Sequence, residues 1–239
     1  MSDSEFAYTG TENLEIMQYA PKYNQALCML VRTHAPTDGG DALDFGAGIG
    51  TFSQCLRHDG ITVHCLEPDN KQRQQLALQG FPTFADISEI ADQLMDYAFS
   101  LNVLEHIEDD LQACRELYRV VRPGGHLMIY VPAFQILFTR MDEKVGHVRR
   151  YDRKRLTHCL TTAGFVIEKA TYYDFLGFFA TLLVKLFASQ SDGSLNPRFV
   201  HIYDTWTFPL SRLLSRPFGW LLGKNLMVYA KRPESDDAM

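Results

Sequence analysis

The sequence predicts an α/β fold: a doubly wound, mostly parallel seven-stranded sheet with a mainly helical insertion before the last strand. Three observations predict it. Short apolar strands alternate with helical segments between residues 42 and 171, the pattern of βαβ units. At 42–51 a buried strand runs straight into a glycine-rich turn that opens a helix. Residues 172–224, rich in Phe, Leu and Trp, then separate the last two strands. The 239 residues suit one domain with a substantial core, placed at 13–232, with 172–224 as its cap. The polar ends, 1–12 and 233–239, are expected to be disordered.

Each element has its own signal. Residues 13–34 carry Leu27, Leu30 and Val31 at helical spacing, ended by Pro36 and two glycines. A strand at 42–45, a helix at 51–58 and a strand at 62–66 follow. Next come a helix at 71–79 stopped by Gly80 and a short strand at 81–85. A strand at 97–101 precedes a helix at 110–121, closed by Pro123-Gly124-Gly125, and a strand at 126–131. A helix at 152–163 with Gly164 past its end leads to a strand at 165–171, and 225–231 is the last strand. In the insertion, Phe175, Phe178, Phe179, Leu182, Leu183 and Leu186 recur at spacings of three and four.

Composition excludes several classes. Hydrophobic residues make up 46% and charged residues 22%, which rules out a disordered or collagen-like chain. The net charge of −6 argues against a surface built for nucleic acid. The charge is uneven: residues 1–130 hold 8 Lys+Arg against 19 Asp+Glu, so an anionic partner would meet the second half. Five cysteines stand singly, which argues against a zinc site or a disulfide framework and for a reducing compartment. The N-terminal residues lack the pattern of a signal peptide, and the apolar run 175–188 is too short for a bilayer span. A cytoplasmic location is the expectation.

The turn Asp44-Phe45-Gly46-Ala47-Gly48-Ile49-Gly50-Thr51 places its third glycine one residue early for a dinucleotide fingerprint. Asp44 puts a carboxylate where a pyrophosphate would be repelled and a cation attracted. Glu67, ending the second strand, suits ribose hydroxyls. Asp86, ending the third, suits an adenine amino group. The three together match a ligand with an ammonium, a ribose and an adenine but no phosphate. S-adenosylmethionine is such a ligand.

LDFGAGIGTFS, CLEPD, FADI, LNVLEHIEDD and LYRVVRPGGHLMIYVPA together resemble the ordered motifs of class I S-adenosylmethionine-dependent methyltransferases. That resemblance implies the Rossmann-like fold of the family. It implies that Asp44, Gly46, Ala47, Gly48 and Gly50 surround the methionyl part of the cofactor, with Glu67 on the ribose. Pro68 and Asp69 would lie beside the adenosine, and Asp86 and Ile87 would frame the adenine. Asn102 and Leu104 would lie under the methionyl group. KYNQAL, MDEKVGHVRRYDRKRL and RPFGWLLGKNLMVYAKR are similar to a bacterial subgroup often linked to glycosyltransferases, which adds Tyr23 to the cofactor set.

Methyl transfer needs an aligned acceptor, a dry site and, for some acceptors, a proton acceptor. His147 is the first candidate base, with His106 as the second. Tyr151 is read as orienting the acceptor or lining the cofactor pocket. No metal is called for, and EHIEDD reads as a solvated acidic helix start. Arg149 and Arg150, in a basic segment at 140–155, are candidates for an anionic group on the acceptor. The expected reaction is O-methylation of a small or lipid-linked acceptor. The alternatives are an N-methyltransferase, an enzyme acting on protein or nucleic acid, and a non-catalytic cofactor-binding module. The apolar insertion reads as a core or homodimer face, an acceptor tunnel, or a shallow contact with an anionic membrane surface.

Overall fold

A computed structural model describes residues 19–37, 39–187 and 197–234. The ends expected to be disordered, apart from 233–234, and the first part of the expected 13–34 helix lie outside the described residues. The described part of that helix is α1 (Pro21–Thr33). A βαβ series follows: β1 (Asp41–Phe45), α2 (Thr51–Arg57), β2 (Thr62–Leu66), α3 (Asn70–Leu78), β3 (Thr83–Phe84), β4 (Met95–Leu101), α4 (Asp110–Val120) and β5 (Val121–Pro132). Then come α5 (Arg140–Lys144), α6 (Arg153–Thr162), β6 (Val166–Tyr173), the cap helices α7 (Phe175–Phe187), α8 (Pro197–Ile202) and α9 (Phe208–Phe218), and β7 (Asn225–Lys231).

The seven strands lie in the order β3-β2-β1-β4-β5-β7-β6. β1 to β5 pair in parallel, whereas β7 runs antiparallel to both β5 and β6. The chain winds outward from β1 to β3 and then returns to β4. The strand order therefore reverses between β1 and β4, and the carboxyl ends of those two strands flank the crevice where such sheets hold ligands. Alternate residues feed the two faces of the sheet. Along β5, Leu127, Ile129 and Val131 join one core and Met128 and Tyr130 the other.

β5 starts earlier than its sequence suggests. Pro123-Gly124-Gly125 reads as a helix stop followed by a turn, yet Met95 pairs with Val121 and Tyr97 with His126. The residues between bulge out of the ladder. Gly124 adopts φ +79°, and the Arg232 guanidinium donates to the carbonyls of Tyr118 and Val121.

The cap is fastened by two buried aspartates. Asp174 accepts from Tyr203 Oη at 2.5 Å and Ser211 Oγ at 2.7 Å. Asp204 accepts the backbone N–H groups of Lys22 (3.0 Å) and Tyr23 (2.8 Å), which satisfies free donors at the start of α1 and ties cap to body. Phe179, Leu183, Trp206, Leu213 and Trp220 remain exposed on the cap.

One expectation is corrected. Cys28 of α1 and Cys55 of α2 form a disulfide, with Cα atoms 6.0 Å apart. The residues are 27 apart in sequence, and only the packing of α1 on α2 brings them together. Cys65, Cys114 and Cys159 are free and buried. Among the described residues, no helix is long and apolar enough to cross a membrane.

Candidate active site

The glycine turn follows β1 at the crevice. Gly46, Gly48 and Gly50 all have positive φ (+83°, +57° and +83°), a conformation that glycine adopts at no steric cost. The N–H groups of Gly46 and Ala47 donate to the Leu66 carbonyl at 2.9 and 3.0 Å, which fastens the turn to the tip of β2. A Cβ at Gly46 would collide with the Val103 side chain, so the turn also packs against the chain leaving β4.

The carboxylates sit around this turn. Glu67 is buried and accepts from Gly48 N at 2.8 Å and Asp69 N at 2.9 Å. Each oxygen keeps a lone pair for a hydroxyl donor. Burial raises the Glu67 carboxyl above its ordinary range. Asp44 is buried, accepts from Ser53 Oγ at 2.6 Å, and is pushed up to about 7 by that burial. A cation placed against it would favour its charged form. Asp69 caps α3 through the N–H groups of Lys71 and Gln72, beside exposed Pro68. Asp86 is exposed and caps the short turn that begins at Ile87, accepting from Ser88 N and Oγ. Asn102, with φ +55°, is exposed at the tip of β4 and donates its N–H to the Tyr130 carbonyl. Leu104, in contrast, is fully buried in the core beneath that tip. Its side chain supports the floor and does not line an open pocket. Tyr23 Oη meets Tyr130 Oη at 3.4 Å, and the Tyr23 ring packs edge-on against Phe208 of the cap. The turn, the tip carboxylates and the absence of side chains at the glycines fit a nucleoside with a cationic amino-acid tail.

The segment between β5 and α6 corrects three expectations. Tyr151 has no exposure, and its hydroxyl is shared between Leu104 O (3.1 Å) and Asp110 Oδ2 (3.0 Å). It braces the loop after β4 and cannot touch an acceptor. Arg150 is buried and grips Asp142 with both ends of its fork, Nε to Oδ1 at 2.9 Å and Nη2 to Oδ2 at 3.0 Å. Arg149 donates to the Ile107 and Glu108 carbonyls and pairs with Asp110. Both guanidiniums are spent within the fold, so neither is available for an anionic acceptor.

His147 lies between two carboxylates. Its Nδ1 lies 2.7 Å from Asp142 Oδ1 and its Nε2 lies 3.7 Å from Glu105 Oε1. A carboxylate can only accept, so Nδ1 carries a proton, and in the neutral ring the lone pair then lies on Nε2. Burial raises the Asp142 carboxyl, but the His147 and Arg150 bonds outweigh it and hold the group well below the usual range. The His106 ring packs edge-on against His147, with centroids 4.7 Å apart. Burial, with His147 alongside, lowers His106 to about 4.

Three residues here escape the sequence reading. Glu105 lies in the motif that reads as solvated, yet it is fully buried, and burial pushes it up to about 8. Asp142 is part of a charge run that gives no sign of a central role. Lys224, half-buried at the start of β7 with its ammonium pulled down by burial, has Asp174 and Asp142 as charged neighbours. A hydrophobic pattern on both sides of a charge is the signal for such burial, and VLEHI around Glu105 carries it.

Residues 19–170 match the family described as the methyltransferase domain. A probable S-adenosylmethionine-dependent methyltransferase of Mycolicibacterium smegmatis is 33% identical over 81 residues, covering 33% of this chain and 32% of that protein. The malonyl-[acyl-carrier protein] O-methyltransferase of Serratia marcescens is 36% identical over 96 residues, covering 38% of this chain and 37% of that protein. The matches thus span about a third of each of these relatives' length. Among solved structures, a Haloferax volcanii putative methyltransferase in complex with a methyltransferase activator superposes with a TM-score of 0.64 at 15% identity, covering 98% of this chain and 99% of that one. Haemonchus contortus phosphoethanolamine N-methyltransferase 2, solved with S-adenosyl-L-methionine, superposes with a TM-score of 0.60 at 18% identity, covering 97% and 58%. Sheet order, glycine turn and family match agree, and the chain belongs to the methyltransferase-domain family.

Proposed function

We propose that this chain transfers the methyl group of S-adenosylmethionine to a hydroxyl of an acceptor with an apolar body. The observation that carries the reading is the buried Glu67 carboxylate bonded to Gly48 N at 2.8 Å. It joins the glycine turn to the ribose position at the crevice between β1 and β4. When bound, the cofactor supplies an electrophilic methyl on a sulfonium.

The residues then have distinct tasks. Glu67 accepts from ribose hydroxyls, and Asp44 faces the cationic end of the methionyl group. Asn102, exposed on its left-handed backbone at the tip of β4, edges the same crevice. His147, with Nδ1 donating to Asp142, offers Nε2 to the acceptor hydroxyl and takes its proton as the oxygen attacks. A proton acceptor at this place suits an acceptor hydroxyl, which must lose its proton as it attacks.

The exposed apolar side chains of the cap, among them Phe179, Leu183, Trp206 and Trp220, support an acceptor with an apolar body. The corrected roles of Arg149 and Arg150 remove the support for a required anionic group. The test is a partition of label. The chain, incubated with methyl-labelled cofactor and separate lipid, protein and RNA extracts, should label the lipid extract. Label confined to protein or RNA would contradict the acceptor class, and no label in any fraction would favour a non-catalytic module.

A further inference from the structure

Glu105, His106 and His147 converge although their sequence spacing does not suggest it. Each offers a ligand atom, and those atoms all lie within 4.8 Å of one another. Glu105 has no exposure, and neither of its carboxylate oxygens has a hydrogen-bond partner. A buried carboxylate with both oxygens unpartnered is a costly arrangement unless something else binds it.

The two imidazoles are prepared in the same sense. His147 gives Nδ1 to Asp142 at 2.7 Å, and Asp142 is itself fixed by the Arg150 fork and by Thr139 N at 2.8 Å. His106 is hydrogen-bonded to the Gly146 backbone. His147 Nδ1 is thus held by a carboxylate, and each of the two rings turns one ligand atom toward Glu105. A carboxylate or carbonyl behind each histidine is the usual support of a metal-bound imidazole. The backbone is held as well: Val148 N donates to Glu105 O and His147 N to Asp142 O, both at 2.8 Å.

We propose that Glu105, His106 and His147 form a binding site for one divalent transition-metal ion. Two imidazoles and one carboxylate are the donor set of zinc and its first-row neighbours, and three protein ligands leave a position open. Donor atoms around such an ion stand about 3.3 Å apart at bond lengths of about 2.0–2.1 Å. His147 Nε2 and Glu105 Oε1, at 3.7 Å, need only a small closure.

Metal binding itself stands apart from the proposed reaction; its use there rests on methyl transfer to a hydroxyl and replaces His147 as the proton acceptor. In that use the open position takes the acceptor hydroxyl. Coordination releases the hydroxyl proton to solvent, and the oxygen forms its bond to the methyl carbon as the carbon–sulfur bond breaks. S-adenosylhomocysteine and the methyl ether are the products. Nε2 of His147 then holds the ion in place of the proton.

The experiment strips the full chain with chelator, dialyses it, and titrates it with Co²⁺ and with Zn²⁺. Wild type should bind one equivalent, with visible d–d absorption for Co²⁺. Glu105→Gln and His147→Gln should each weaken binding by at least tenfold, while S-adenosylhomocysteine affinity stays within about twofold of wild type and shows that the fold persists. Absence of stoichiometric binding to wild type overturns the site. So does binding to both variants as tight as to wild type. Stoichiometric binding without methyl transfer to any extract would support the site and refute the proposed reaction. Methyl transfer by a chain that binds neither ion would do the reverse.

Discussion

His147→Ala should lower methyl-transfer turnover by about 10²–10⁴-fold, the range that removal of a proton-handling group produces. The proposed cofactor site lies at the ends of β1, β2 and β4, and none of the hydrogen bonds of Glu67 and Asp44 passes through the His147 ring. S-adenosylhomocysteine affinity should therefore stay within about twofold of wild type. The backbone bond from His147 N to Asp142 O survives the substitution, and Asp142 keeps its Arg150 and Thr139 partners. Steady-state kinetics with saturating cofactor, beside a cofactor titration, checks both halves. Unchanged turnover would return His147 to a purely structural role and leave the cluster of Glu105, His106 and His147 without a function in the reaction.

Gly46→Ala should abolish cofactor binding at the concentrations that saturate wild type. The new Cβ meets Val103, and the backbone at φ +83° is strained for any other residue. Left-handed strain of about 1–2 kcal/mol and an overpacking cost of about 1–3 kcal/mol act together. The turn relieves them by moving away from β4, which displaces Gly48 from Glu67. Thermal melts and an S-adenosylhomocysteine titration read the two effects. A variant that melts and binds as wild type would show that the turn tolerates a side chain, and that the close approach to β4 is unimportant.

What the sequence discloses depends on how local the signal is. The glycine turn and Glu67 are legible because a strand end, a glycine spacing and a second strand end all lie within 25 residues. The strand–helix alternation discloses the sheet for the same reason. Arg149, Arg150 and Tyr151 are misread because their type suits a ligand as well as it suits a buried network. Only the fold decides between the two, by placing Asp142 and Asp110 against them. Glu105 is misread in the opposite direction: a run of acidic residues suggests solvent, but the first of them follows Leu104 into the core. The cap fastenings at Asp174 and Asp204 and the disulfide between Cys28 and Cys55 join residues distant in sequence, and no local pattern announces them.

The proposed cofactor site is the glycine turn with Glu67. Calorimetric titration of wild type and Glu67→Ala with S-adenosylhomocysteine tests it most directly, with NADH present as a competitor in a parallel run. Wild type should bind one equivalent without interference from NADH. Glu67→Ala should bind about 5- to 150-fold more weakly, the effect of losing about 1–3 kcal/mol of hydrogen bonding to a charged acceptor. Equal affinity in the two proteins, or displacement by NADH, would contradict the placement of the cofactor.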